Sequence, residues 1–100
     1  MTVFGLKQHH WKIVIDLAID PLKKLGASVF VFGSRARGTH QEFSDLDLLY
    51  ESNSKIPLSE IYKIKSNLEQ SNLPIKVDLV AAEDCAQSYR NQIHTEKKEV

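Results

Sequence analysis

Val29-Phe30-Val31-Phe32-Gly33-Ser34-Arg35-Ala36-Arg37-Gly38, followed after five intervening residues by Ser44-Asp45-Leu46-Asp47-Leu48, is the stretch whose reading decides the fold. The run Val29–Phe32 is apolar throughout and reads as a buried strand. A Gly-Ser step straight after a strand, leading into helix-compatible residues, brings free backbone N–H groups and a hydroxyl to a helix start, which suits phosphate oxygens. The second half sets two carboxylates two residues apart in another apolar strand. Strand side chains alternate, so Asp45 and Asp47 point the same way, ~7 Å apart, with Leu46, Leu48 and Tyr50 on the opposite face. Two adjacent acids repel and folding does not ask for them. A divalent cation explains the pair, because hard cations take carboxylate oxygens and carry phosphates with them.

Working outward, Trp11, Val14, Ile15, Ala18 and Leu22 recur at helical spacing and predict a helix over Leu6–Ile19. Asp20-Pro21 either kinks this helix or restarts it through Leu25, and Gly26 suits the position just past its end. Ser28–Phe32 is the first strand, Ser34–Arg37 a short helix closed by Gly38, Thr39–Phe43 a polar loop, and Asp45–Glu51 the second strand. Ile61, Ile64 and Leu68 mark an amphipathic helix over Leu58–Gln70. Ile75–Ala81 forms a third strand, on which Lys76, Asp78 and Val80 share a face. A last helix starts near Ala82 or Glu83 with Ala82, Ala86, Tyr89 and Ile93 as its stripe, and Lys97 and Lys98 near its end suit the helix dipole. The layout is α/β (α+β): a small sheet of three or more strands with helices mainly on one side, leaving a face or edge where the acids meet a ligand.

The chain has 100 residues, enough for a single domain spanning 1–100 that buries about 60–65% of its unfolded surface. Its 13 Lys and Arg balance 13 Asp and Glu, so there is no general basic field to hold a nucleic-acid duplex, and template-directed polymerisation is set aside. The one cysteine, Cys85, cannot form an internal disulfide, which fits a reducing cytoplasm. No apolar segment approaches the ~20 residues of a membrane span, and no signal-peptide core is visible. The expected address is the cytoplasm, with no membrane partner.

Several side chains carry two readings each. Asp78 is a third metal-binding acid if its strand neighbours the Asp45–Asp47 strand, or a strand-end residue answered by a backbone N–H or a lysine. Arg35 and Arg37 flank the Gly-Ser turn, either as bidentate donors to a triphosphate or as a solvated helix face. Ser44 either orients Asp45 or starts the strand. His9, His10, His40 and His94 lack metal-ligand spacing. Trp11, Tyr50, Tyr62, Tyr89 and Cys85 read as packing residues.

Gly33–Gly38, Ser44–Leu48 and Val77-Asp78-Leu79-Val80 together resemble the minimal nucleotidyltransferase family of the DNA polymerase β-like superfamily, and the likeness runs over nearly the whole chain. The resemblance implies a mixed sheet flanked by helices, the nucleotidyltransferase fold. It implies Mg2+-dependent use of ATP (two ions, with Mn2+ the alternative) and transfer of a nucleotidyl group to a hydroxyl. By the same resemblance Gly33 and Ser34 contact phosphate, Asp45 and Asp47 ligate both metals, and Asp78 ligates the catalytic one and assists removal of the acceptor proton. It further implies a partner: a small helical HEPN-type toxin, whose tyrosine hydroxyl receives AMP from a transferase acting as antitoxin. Homo- or hetero-oligomers are therefore expected. Two other readings compete: a non-catalytic subunit that occludes a helical partner, and an adenylyltransferase for a small molecule such as an aminoglycoside.

Overall fold

The computed structural model describes residues 2–85 and 87–100. The chain begins with a hairpin that no periodicity announces. Thr2–Val3 (β1) and Leu6–Lys7 (β2) pair antiparallel around Phe4-Gly5, whose φ values of 51° and 79° are the two positive angles a two-residue hairpin turn demands. Leu6 therefore belongs to a strand, and the helix starts at Gln8.

That helix is one rod through the expected break at Pro21. Gln8–Val14 (α1) widens into a π-type turn over Ile15–Ile19 and continues as Asp20–Lys24 (α2). The Asp20 N–H reaches back five residues to the Ile15 carbonyl. The looser turn gives the proline ring room against the preceding carbonyls, so the helix absorbs Pro21 where a tight α-turn would break. Gly26, at φ 92°, ends the rod as expected: its own N–H meets the Lys23 carbonyl and the Ala27 N–H meets the Leu22 carbonyl, both at 3.0 Å.

Ser28–Phe32 (β3), Ser34–Arg37 (α3), Leu46–Glu51 (β4), Leu58–Glu69 (α4) and Val77–Ala81 (β5) follow in the predicted order. Lys98–Glu99 (β6) adds an unpredicted fourth strand to the sheet, whose order is β5-β4-β3-β6. β3 runs antiparallel to β4 and β6, whereas β4 and β5 are parallel, with α4 as the crossover a parallel pair requires. The architecture is thus a mixed four-stranded sheet with flanking helices, the fold class read from the sequence.

One face of this sheet holds the core. Val29 and Val31, Leu46 and Leu48, and Leu79 pack with Val14, Ala18 and Leu22 of the first rod and Ile61, Ile64 and Leu68 of α4. Register fixes what the other face carries. Phe32 opposes Asp47 and Asp47 opposes Asp78, giving one row across three strands; Phe30, Leu49 and Val80 form the next.

The C-terminal part departs from expectation. Ala82–Asp84 is a 3-10 turn, and the helix proper is Gln87–Glu96 (α5). Ala86 lies outside the described residues, as does the side chain of Tyr89, so of the predicted stripe Ile93 is the buried member that can be placed. Lys97 follows the helix without capping it: its Nζ pairs with Glu51 at 2.8 Å and lies 4.2 Å above the Phe30 ring, while Lys98 joins β6. No helix among the described residues is long and apolar enough to cross a membrane.

Candidate active site

The centre of the polar face is Asp47, the second residue of β4. Asp78 lies beside it at the matching position of β5, so the third acid stands on the same side of the sheet as the second. Gly33 closes in from β3. Its φ is 75°, and a Cβ added there would collide with Asp47 Oδ2. Only glycine tolerates both the backbone angle and the approach, which is the local reason for the Gly in the Gly-Ser step. Asp45 is exposed and precedes the first residue of β4, so the strand starts one residue later than expected.

Electrostatics single out Asp47. Burial, then the neighbouring Asp78 and Asp45, push its carboxyl up to about 6 from an ordinary 3.8; Arg37 opposes the shift and Glu96 adds to it. Crowded anions spread where they can. Asp78 turns an oxygen to Lys76 Nζ at 3.3 Å, a partner two residues back on the same strand face. Among the described residues no three His, Cys, Asp or Glu side chains stand close enough together to hold a metal ion, so the expected convergence of Asp45, Asp47 and Asp78 is seen as an adjacent pair plus an exposed neighbour. The donor chemistry still fits a hard divalent cation: all-oxygen ligands, and a central carboxyl whose proton affinity is raised by burial and then by its acidic neighbours.

The two arginines have parted company. Arg35 is 2% exposed, and its guanidinium donates to the backbone carbonyls of Phe4 (2.8 Å), Ser44 (3.0 Å) and Glu42 (3.1 Å). This corrects its expected place as a triphosphate contact: it ties the N-terminal hairpin and the loop before Asp45 to α3. Ser44 lies in the loop, two residues before the strand begins. Its Oγ accepts from the Gln41 N–H at 2.8 Å and closes the loop ahead of Asp45. His40 is half-buried against Gly5, and its Nδ1 has no partner among the described residues.

Arg37 remains on the site, its side chain 42% exposed, but it is paired. Its Nη1 donates to both oxygens of Glu96, at 3.0 and 3.1 Å, and Glu96 also accepts from the Gly33 N–H at 3.3 Å. Sequence reasoning missed Glu96, which stands 63 residues from Gly33, and no spacing rule links the two. Lys76 was placed on the Asp78 face by alternation and could have been found as its partner. A hollow of about 580 Å³ opens beside both acids, with Lys65 and Lys76 among its charged lining and Leu68, Leu73 and Ile75 among its apolar lining.

Residues 23–100 match the family described as Polymerase beta, Nucleotidyltransferase. Among curated proteins, "Probable protein adenylyltransferase MntA" of Haemophilus influenzae is 32% identical over 66 residues, which is 66% of this chain and 58% of the relative. The chain therefore spans under two thirds of that relative's length. A solved minimal nucleotidyltransferase superposes with a TM-score of 0.72 at 31% identity, covering 100% of this chain and 97% of the other. A toxin–antitoxin complex crystallised with AMP-PNP gives a TM-score of 0.66 at 26% identity over 88% of this chain and 69% of its own.

Proposed function

The chain belongs to the Polymerase beta nucleotidyltransferase family, and on that premise we propose that it transfers AMP from ATP to a hydroxyl of a partner protein, as the antitoxin of a toxin–antitoxin pair. The observation that carries this reading is the row of carboxylates: Asp47 and Asp78 side by side on one face, with Gly33 fitted against Asp47. The MntA relative and the AMP-PNP of the toxin–antitoxin structure support the choice of an adenosine nucleotide and a protein acceptor.

In this mechanism Gly33, Ser34 and Arg37 bind the triphosphate oxygens. Asp45, Asp47 and Asp78 would hold Mg2+, which neutralises phosphate charge and acidifies the acceptor hydroxyl when bound. Asp78 orients that hydroxyl and accepts its proton as the oxygen bonds to the α-phosphorus and the bond to pyrophosphate breaks. Arg35 keeps the loop ahead of Asp45 in place. The acceptor in this reading is a tyrosine of a small helical partner of the HEPN type, which the apolar part of the hollow beside Asp78 supports by suiting an aromatic side chain. The pair works in the cytoplasm, where ATP is abundant.

The test is incubation with Mg2+, α-labelled ATP and the product of the neighbouring reading frame. The label should appear on a partner tyrosine with the mass of AMP, and Asp45→Asn should lose it while keeping its thermal melting profile. Full neutralisation of the partner without any labelling would replace transfer by simple occlusion, whereas full labelling by Asp45→Asn would remove Asp45 from the metal-holding set and leave transfer standing.

A further inference from the structure

The contact between Glu96 and the Gly-Ser turn goes beyond the family mechanism. A carboxylate at the end of α5 has taken the backbone N–H of Gly33 and the guanidinium of Arg37 together. Those are donors of the kind a phosphate oxygen needs: the Gly33 N–H is a single donor, and the Arg37 Nη1 that Glu96 holds is engaged while the pair stands, so a carboxylate and a phosphate compete for the same atoms. The Glu96 side chain is 14% exposed, so it is seated and not sampling solvent. Its contacts, at 3.0–3.3 Å, are longer than the roughly 2.7–2.9 Å of a well-formed charge-assisted bond. The residues after it are held independently, Lys97 by Glu51 and Phe30, and Lys98 and Glu99 by pairing with β3. The carboxylate is thus presented to the turn by a segment with its own anchors.

We propose that Glu96 is a placeholder for substrate phosphate: it holds the Gly33 N–H and Arg37 until a triphosphate displaces it, so that nucleotide affinity is set by competition with a side chain of the same protein. The inference rests on the nucleotidyltransferase reading for the identity of the displacing anion. Glu96 is a positioning residue in this scheme. It keeps both donors oriented and sets the threshold concentration at which the site fills. A competitor that occupies the donors about nine-tenths of the time weakens apparent binding roughly tenfold.

Inorganic tripolyphosphate is the probe, measured by calorimetry on the full chain with no ATP or partner present. Glu96→Gln should bind it about tenfold more tightly than the wild type, with Glu96→Ala as the second variant in case the amide oxygen keeps its hold on Arg37. The gain should shrink below about twofold when Glu96→Gln is made in an Arg37→Ala background, because competition needs the shared donor. Equal or weaker binding by both Glu96 variants overturns the proposal, as does the same tenfold gain without Arg37, or no binding by any of the proteins. Labelled transfer is scored separately. Tightening without transfer leaves the placeholder standing and removes the enzyme; transfer without tightening does the reverse.

Discussion

The two faces of the sheet are built on opposite principles. On the core face, Val29, Val31, Leu46 and Leu48 are fully buried, and each contributes through apolar area removed from water. On the other face the equivalent row is Phe32, Asp47 and Asp78, and the central side chain has its proton affinity raised by burial and by its neighbours. One β4 strand serves both, alternating residue by residue. Stability is concentrated on one side so that the other can carry charges that disfavour the fold. Crowded carboxylates of this kind are tolerated where they have chemistry to do.

Removing the chemistry sharpens the contrast most. Asp47→Asn should lower nucleotidyl transfer by about a hundredfold or more, comparable to the loss of a principal electrostatic contact in other enzymes, in the labelled-ATP assay. The same variant should melt no lower than the wild type at pH 7.5, since it removes repulsion. Leu48→Ala, one residue along and facing the other way, should do the opposite: a loss of roughly 2–5 kcal/mol in urea unfolding, with activity per folded molecule retained. Arg35→Leu should cost about 3 kcal/mol by the same measurement, because three part-buried carbonyls lose their donor. Gly33→Ala should cost about 1–2 kcal/mol for the positive φ alone and abolish transfer by displacing Asp47.

The smallest effect is one of pH. Asp47 holds its proton more tightly folded than unfolded, with its carboxyl near 6 in the folded protein against an ordinary 3.8. Between those values the folded state retains a proton that the unfolded state has released. Its contribution to stability is therefore full below about pH 4 and is lost as pH rises through 6. Melting temperatures across pH 4–8 should show this decline in the wild type, and Asp47→Asn should flatten it.

Local chemistry made much of this legible. Apolar runs placed β3, β4 and β5 within two residues, the helical period found α4, and Gly26 and Gly38 marked the ends of α2 and α3 because positive φ has few other tenants. The Asp-x-Asp spacing and strand alternation put Asp47 and Asp78 on faces that could meet. Other features were illegible for equally local reasons. Two-residue strands such as β1, β2 and β6 are too short for any period to show. Arg35 and Arg37 are two residues apart in the same four-residue helix, and nothing in their neighbours says that one will be buried under three carbonyls.

By itself the sequence determined the longer strands, the helix between β4 and β5 and the acids, since these follow from side-chain alternation and helical period. Only the tertiary structure decided that Asp47 and Asp78 would be register partners, that Arg35 would serve the fold while Arg37 faces the site, and that Glu96 would reach the Gly-Ser turn. Each of those depends on which strands and helices become neighbours, and that is settled by packing between residues 31 to 63 positions apart.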